Sequence, residues 1–533
     1  MSAGTETKEN GAPEARAAGW PRSSGSVCQR RLERCLQLRL VHGGVRTFSW
    51  PRALPNRLAC LRRPSRLPLS LAMQRVLVDL PLTPYNWEPS RLNTPGYGFG
   101  ISGTHTALLM LAQAFVRHCW EVHLAGSIVG QPLPGTLHLN RTALASDEQP
   151  PSFDVTVISN VFTRPPLWVW NRVHTRVLAI IQENQYIGPG EYEQIRLYLI
   201  NSRQWTGHEG GVQLFFFHLS EWTKQAMREQ LSGRVVQDVS RSRALLGLNS
   251  HSWAIESGVT HDSDTFVNPV NLSLTQLARR MAQRRNRHSI IFPACWERGG
   301  IVAAKVFARV KGDWGADARI TFAYYDTSSK GNKEMRAVLQ EASGGAPDSR
   351  IQNGSMSKLD LAIKMQESGF FIYGVVSSRG LVHFDTFASV VAEALAAGVI
   401  VLAPRIAALP YLYDGVVQFV DPPNGLSKKL QTTNIASWDD SGLASDAMVE
   451  IYIRRIKDIL ANRQFENELR ARGRQFARRF NHTVVTDRFV RYIANISQPT
   501  RQVSLANIPK PIREVRLREK FDKLLSYVRW SQK

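Results

Sequence analysis

The stretch His383–Gly398 reads HFDTFASVVAEALAAG and is followed at once by Val399–Ala403, VIVLA. The small, uncharged residues after Asp385 predict one buried helix, and the next apolar run has the length of a buried strand. Helix followed by strand is the repeating unit of an α/β fold. One acid, Glu393, lies inside the apolar helix, where a carboxylate must be paired, hydrogen-bonded or used. The pattern leaves open whether Glu393 is functional or only satisfies a nearby backbone amide or arginine.

Length, composition and charge limit the number of domains, the compartment and the partners that this chain can have. The chain has 533 residues and 43% are hydrophobic, which predicts two globular domains with extensions. No apolar run reaches the roughly eighteen residues of a membrane-spanning helix. The five cysteines share no CxxC spacing, which indicates a reducing compartment and no zinc site. The net charge of +23 favours anionic partners, among them an anionic membrane surface. Together with the cysteine pattern, it predicts a cytoplasmic protein with possible peripheral binding to a membrane.

The basic residues are not evenly distributed. Residues 1–72 are rich in Arg, Ser, Pro and Gly without an apolar period, which predicts a disordered basic extension. Its second half is Arg-rich and acid-poor like a transit peptide, but three glutamates near its start count against that interpretation. The remaining chain is predicted to form an N-terminal domain, a C-terminal domain, and a C-terminal helix with a basic tail over 73–275, 276–483 and 484–533.

Apolar segments of strand length alternate with helical patterns through both domains. Those of the first domain are 75–82, 121–126, 153–159, 175–182 and 212–220. Those of the second are 289–294, 318–326, 349–354, 369–376, 399–404 and 416–421. Each is apolar along its whole length, which indicates parallel sheets covered on both faces. We therefore predict an α/β fold with two doubly wound Rossmann-like domains facing a cleft, and ligands at the carboxyl ends of the strands.

Several motifs in chain order resemble the GT-B glycosyltransferases of family 4 (glycosyl transferases group 1) type. Asp385-x7-Glu393, followed by Ala-Leu-Ala-Ala-Gly, resembles the Glu-x7-Glu motif of that family. The other matching segments are TPGYGFGISG (94–103), FFFHLSEWTK (215–224), SGVTHDSDTFVNP (257–269), CWERGG (295–300), SMSKLDLAIKMQESGFFIY (355–373) and RARGRQFARRFN (470–481). The resemblance covers roughly residues 74–497 and implies a GT-B fold with the donor-binding site in the second domain.

The predicted phosphate site follows from CWERGG. A nucleotide-sugar donor carries a diphosphate, which needs backbone amides at a helix N-terminus and a nearby cation. Arg298, Gly299 and Gly300 offer both, with Lys305 as a weaker candidate one or two turns further on. The alternative is that Arg298 is an ordinary surface arginine.

The resemblance also implies roles for the residues of the acid motif. Glu393 binds the ribose hydroxyls, and Asp385 approaches the transferred sugar with the amides of Thr386, Phe387 and Ala388 beside it. Asp385 departs from the family, because its side chain is one methylene shorter than the usual Glu. Pro293 stands where many members have an earlier basic residue, which leaves Arg298 alone.

The glycine-rich loop has two possible meanings. GFGISG (98–103) matches a dinucleotide fingerprint, but the acid expected about twenty residues on is replaced by Ala125 and Gly126, which argues against a nicotinamide site. The resemblance instead places the loop across the cleft from the donor phosphates, with Gly100, Ser102 and Gly103 close to the leaving group. A purely structural turn is the alternative.

The sequence gives little indication of which residues bind the acceptor. Several relatives have a His after the strand that corresponds to VLAIIQ, whereas this chain has Glu183 in that turn. Glu183 could orient an acceptor hydroxyl or simply lie on the surface. His105 and His218 are further candidates for which a structural role is the simpler expectation.

The expected reaction is retaining transfer of a hexosyl or deoxyhexosyl group from a nucleotide sugar to a glycan, lipid or small-molecule acceptor. Arg298 and loop amides would stabilise the departing phosphate. No acid pair suited to a metal follows a predicted strand, so no metal cofactor is expected.

The alternatives are a nucleotide-sugar epimerase and a degenerate, non-catalytic GT-B binding protein. Nucleic acid is not expected as a partner, because the basic segments lack interleaved aromatic residues; contact with an anionic membrane surface explains them more simply.

Overall fold

The computed structural model describes twelve segments of the chain, and all of them lie within the compact unit Pro55–Lys533. The described residues are 73–80, 103–126, 133–139, 152–159, 173–182, 213–231, 267–294, 298–323, 337–341, 348–374, 386–421 and 445–497.

Six parallel strands form the first sheet. They are β1 (Arg75–Asp79), β2 (Glu121–Ala125), β3 (Thr136–Leu139), β4 (Ser152–Ser159), β5 (His174–Gln182) and β6 (Gln213–His218), in the spatial order β3-β2-β1-β4-β5-β6. Among the described residues, α1 (Gly103–Arg117) and α2 (Glu221–Leu231) are the helices that accompany this sheet. Apolar residues such as Val76, Val78, Val155 and Val157 are fully buried, as in a sheet covered on both faces.

Six further parallel strands form the second sheet. They are β7 (Ser289–Phe292), β8 (Arg319–Ala323), β9 (Ile351–Gly354), β10 (Phe370–Ile372), β11 (Ile400–Pro404) and β12 (Gln418–Val420), in the order β12-β11-β10-β7-β8-β9. The helices of this half are α3 (Leu272–Met281), α4 (Gly300–Trp314), α5 (Lys358–Glu367), α6 (Ser389–Ala397), α7 (Leu409–Tyr413), α8 (Asp446–Ala461), α9 (Arg463–Ala477) and α10 (His482–Ser497).

The two sheets have the same topology. Numbered from its first strand, each runs 3-2-1-4-5-6, the strand order of a doubly wound Rossmann-like sheet. The predicted α/β class with two doubly wound sheets is therefore confirmed. The stretch HFDTFASVVAEALAAG supplies α6 and VIVLA supplies β11, and all five residues of β11 are buried.

The last described helix packs on the first sheet. The ring of Phe489 in α10 lies 4.6 Å from that of Phe217 in β6, measured between ring centroids. Arg117 at the end of α1 pairs with Asp487 of α10 at 2.9 Å. The chain therefore returns to its N-terminal half after completing the second sheet.

Three sequence expectations differ from the structure. Strand β3 (Thr136–Leu139) was not predicted, because four residues with one exposed leucine give little apolar signal. The strand predicted over 369–376 is shorter, since the chain leaves the sheet after Ile372. Cys119 is disulfide-bonded, which differs from the expectation of reduced cysteines. None of the described helices combines the length and apolar character needed to cross a membrane.

Candidate functional site

The strand order reverses in the middle of the second sheet. Strands β7 and β10 pair in parallel there, and the chain leaves them in opposite directions, to β8 through α4 and to β11 through α6. Ligands of open α/β sheets bind outside the carboxyl ends of the strands at such a reversal. We therefore place the candidate site at the carboxyl ends of β7 and β10.

The segments that follow these two strands are in backbone contact. The amide of Gly374, after β10, donates to the carbonyl of Arg298, after β7, at 3.0 Å. Gly299 has a φ of +99°, and a Cβ there would lie 2.3 Å from the Cα of Gly374. A Cβ on Gly374 would in turn lie 2.9 Å from the side chain of Val302. Glycine is therefore required at both positions, and the contact fixes the start of α4 against the end of β10.

The helices that follow these two strands, α4 after β7 and α6 after β10, have no side-chain cap. Helix α4 follows Gly299 and α6 follows Ala388, and neither residue has a side-chain oxygen to accept from the first-turn amides. Side chains do cap α3, α5, α8 and α9, namely those of Asn271, Ser357, Ser445 and Asn462. First-turn amides without a cap attract anions. The arrangement is therefore suited to an anionic group such as a phosphate.

The predicted cations lie on or next to α4. Arg298 directly precedes the N-cap Gly299, and its Nη1 atom is buried. Gly300 is the first residue of α4 and is buried, whereas Lys305 in the second turn is half-buried. The structure thus brings Arg298, Gly299 and Gly300 to the same helix start.

The turn before α6 has an unusual backbone. Ala388 has φ +54° and ψ +62°, a left-handed conformation that disfavours an L residue by roughly 1–2 kcal/mol. The Tyr413 hydroxyl donates to the carbonyl of Phe387 at 2.7 Å and holds this turn. Thr386, Phe387 and Ala388 are all buried. These three residues directly precede α6, and their predicted contact with the donor stays a prediction.

Glu393 is paired with a lysine. Its Oε1 atom accepts from Nζ of Lys358, the first residue of α5, at 3.3 Å, and the two side chains are 22% and 15% exposed. The pair borders a cavity of about 30 Å³ shared with Asn271 and Thr275 of the α3 region. That volume has room for roughly one or two water molecules. One oxygen of the carboxylate is therefore paired with Lys358.

Arginines hold the other end of α6. Nη2 of Arg285 donates to the carbonyl of Ala397 at 2.7 Å, and Nη1 of Arg470 donates to that of Gly398 at 2.9 Å. Cations at a helix C-terminus complement its negative dipole end. Arg470 is itself held by the buried Glu466, whose Oε1 lies 2.8 Å from Nη2. These contacts fix the direction in which α6 presents Glu393.

A contact between the two halves of the chain lies at the first turn of α6. Nδ2 of Asn268 donates to Oγ of Ser389 at 3.2 Å. Gly103, the first residue of α1, approaches the same serine so closely that a Cβ on it would lie 2.9 Å from Oγ. The end of the glycine-rich loop thus meets the start of the acid-motif helix.

Several predicted residues lie outside the described residues: Asp385, Glu183, Gly100 and Ser102. His105 and His218 are both buried, at 1% and 3% exposure. Sequence reasoning missed Lys358, Gly374 and Asn268 as neighbours of the site. Asn268 lies in the quoted segment SGVTHDSDTFVNP, so that resemblance could have drawn attention to it, whereas nothing in the sequence pairs Lys358 with Glu393.

The described residues include no group of three or more His, Cys, Asp or Glu side chains that could hold a metal ion. The expectation that the reaction needs no metal stays a prediction.

Comparison with known proteins gives only distant structural similarity. No family model and no curated protein matches the sequence. A glycosyltransferase involved in avilamycin A biosynthesis is similar at 14% identity and a TM-score of 0.45, over 80% of this chain and 99% of that one. A glycosyltransferase from Rickettsia africae has 10% identity and a TM-score of 0.47, over 80% and 100%. A putative UDP-N-acetylglucosamine 2-epimerase from Listeria monocytogenes has 12% identity and a TM-score of 0.40, over 80% and 98%. Because these TM-scores are below 0.5, the fold assignment rests on the strand order of the two sheets.

Proposed function

We propose that the chain is a GT-B glycosyltransferase that transfers a sugar from a nucleotide-sugar donor to an acceptor hydroxyl with retention of configuration. The observation that carries the proposal is that two helices without a side-chain cap, α4 and α6, follow β7 and β10, the two strands at which the strand order of the second sheet reverses. These helices begin in the two motifs that resemble the family 4 phosphate and acid elements.

The diphosphate of the donor would lie against the start of α4. Backbone amides after Gly299 would donate to phosphate oxygens, and the Arg298 guanidinium would balance their charge. Lys305, half-buried one turn further on, would add a second, weaker contribution. The amides of Thr386, Phe387 and Ala388 would contact the sugar or its leaving oxygen from the α6 side.

The nucleoside would lie towards α5. Glu393 is the acceptor available for the ribose hydroxyls, and at present it accepts from Lys358. Since the adjoining cavity has room for only one or two waters, the Lys358 side chain must move when a ribose approaches.

The chemical step needs no dedicated protein base. The acceptor oxygen would bond to the anomeric carbon on the face that the leaving group departs from, while the bond from that carbon to the phosphate oxygen breaks. The proton of the acceptor hydroxyl would pass to the departing phosphate. Arg298 and the helix-start amides would stabilise the charge that develops there. Asp385 would bind the transferred sugar, and Glu183 would orient the acceptor.

One observation favours a second function, a non-catalytic GT-B binding protein. Oε1 of Glu393 is already engaged in an ion pair with Lys358, and Asp385 is shorter than the Glu of the resembling family. Such a protein would bind a nucleotide or its sugar conjugate without transferring the sugar.

The test is to incubate the full chain with a panel of UDP-, GDP-, ADP- and TDP-sugars and measure nucleotide release, with anomeric configuration read by NMR. The proposal expects release from one donor class, faster with an acceptor, and a product of unchanged anomeric configuration. Binding without release would favour the binding protein. Conversion of the donor into an epimer would identify the epimerase. No binding of any donor would overturn the proposed site.

A further inference from the structure

Helix α3 exposes two large apolar side chains next to each other. Leu277 is 45% exposed and Met281 is 50% exposed, and they lie four residues apart on one face. Four other described large apolar residues are similarly exposed, but each lies alone on its element: Met73, Leu137, Tyr411 and Val484. An adjacent exposed pair on one helix is therefore unusual for this chain.

Arginines lie on α3 and next to it. Arg279, Arg280 and Arg284 are exposed, and Arg474 of α9 is half-buried nearby. None of these four makes an ion pair or hydrogen bond within the described chain. The acids of this region already have partners: Glu466 binds three other arginines, and Glu367 binds Lys364 and the amide of Gln283.

The charge of the cluster is not neutralised. Burial and then the charge of Arg279 lower the pKa of Arg474. Burial, followed by the charges of Arg470 and Arg474, lowers the pKa of Arg285 to about 9. These effects indicate that several positive charges lie close together beside α3. Such a cluster is expected to attract an anionic surface.

The chemistry of the face selects among anionic partners. The exposed apolar residues are aliphatic, so they offer no aromatic platform for nucleic-acid bases. Aliphatic side chains flanked by arginines are suited to a lipid interface, where the apolar groups enter the boundary between headgroups and acyl chains and the cations bind lipid phosphates.

We propose that the exposed side of α3 that carries Leu277, Arg280 and Met281 docks on an anionic membrane surface, with Arg279 at its edge next to Arg474 and Arg284 just after the end of the helix. Leu277 and Met281 enter the interface, and the arginines contact phosphates of the outer headgroup layer. This inference concerns a surface distinct from the strand-order reversal and does not depend on the proposed reaction.

The test uses the full chain and flotation with vesicles of phosphatidylcholine alone or with 30% phosphatidylglycerol. The wild type should bind only the anionic vesicles. Arg279→Gln/Arg280→Gln/Arg284→Gln should weaken partitioning about five-fold for each arginine, equivalent to about 1 kcal/mol each. Leu277→Ser/Met281→Ser should also weaken it, with an unchanged thermal midpoint because both residues are exposed.

Matched controls separate this face from the general positive charge of the chain. Arg454→Gln/Arg472→Gln/Arg491→Gln removes three exposed arginines from α8, α9 and α10. It should change partitioning by about two-fold at most, because charges away from the membrane are screened. Val484→Ser, at 64% exposure, is the control for the apolar pair. Equal effects of the α3 and control variants, or wild-type binding that ignores lipid charge, would overturn the proposal. Unchanged binding of the Leu277 and Met281 variant would overturn insertion into the interface.

Discussion

Asn268 and Ser389 are joined by a hydrogen bond of 3.2 Å from Nδ2 to Oγ, across 121 residues of sequence. Asn268 is only 4% exposed, and its Oδ1 atom has no hydrogen-bond partner within the described chain. Gly103 contacts the same serine from the first domain. The first turn of α6 is therefore the point at which the glycine-rich loop, the segment between the sheets and the acid motif come together.

Gly103→Ala should destabilise the protein. The added Cβ would lie 2.9 Å from Ser389 Oγ and 3.2 Å from Ser389 Cβ, and overpacking of this kind costs about 1–3 kcal/mol. Urea unfolding is the measurement. Gly312→Ala in α4 is the matched control, because nothing lies within 4 Å of its Cβ and a helical alanine is favoured by about 0.5–1 kcal/mol. A Gly103→Ala protein as stable as Gly312→Ala would contradict the close approach.

Ala388→Gly should preserve or slightly raise the free energy of unfolding. Glycine removes the cost of the left-handed backbone, about 1–2 kcal/mol, while the more flexible unfolded chain offsets about 0.4–1 kcal/mol of that gain. Ala392→Gly, in the ordinary helical part of α6, should instead lose about 1 kcal/mol. Thermal denaturation of both variants distinguishes them. Equal losses would show that Ala388 is not held in the left-handed region.

Glu466→Ala should be strongly destabilising. Glu466 is 1% exposed and pairs with Arg287, Arg463 and Arg470, so its removal leaves buried positive charge uncompensated at a cost of about 3–5 kcal/mol. The control is Glu450→Ala, which breaks an exposed pair with Arg309 and should cost less than about 1 kcal/mol. Chemical denaturation compares the two. Similar small losses would mean that the arginines around α6 do not depend on Glu466.

Stability should fall as the pH decreases from about 6.5. Burial lowers the pKa of His123, His138 and His482 below the ordinary histidine value. The unfolded chain then binds protons that the folded chain does not, so stability is lost with acidification below the unfolded pKa. Urea midpoints at pH 7.5 and 5.5 measure this loss, and His123→Gln should reduce it. A midpoint that does not change between these pH values would contradict the assignment.

The sequence predicts the class of fold well because the signal is local. Continuous apolar runs such as VIVLA identify buried parallel strands, and each one between β7 and β12 corresponds to an observed strand. Strand β3 is not predicted from the sequence, because an edge strand of four residues is only partly buried and has little apolar pattern. Strand β10 is shorter than its apolar run because Gly374 must turn to contact Gly299, a constraint set by packing between distant segments.

The sequence anticipates parts of the candidate site but not the contacts between them. Gly299 and Gly300 belong to CWERGG and Glu393 to the acid motif, and the structure places the glycines at the start of α4 and Glu393 within α6. The sequence does not predict that Glu393 pairs with Lys358. Lys358 belongs to α5, and the two side chains meet where α5 and α6 pack against α3. Contacts between helices depend on the complete fold, so no short sequence pattern predicts them.

The most direct test of the account is calorimetric titration of UDP and GDP into the wild type, Glu393→Gln and Lys358→Met. If Glu393 binds the ribose, Glu393→Gln should lose roughly ten- to a hundred-fold in affinity, as expected for hydrogen bonds to a charged group. Lys358→Met, which frees the carboxylate from its present ion pair, should bind at least as well as the wild type. Nucleotide affinity that is the same in all three proteins would contradict the assignment of Glu393 as the ribose ligand.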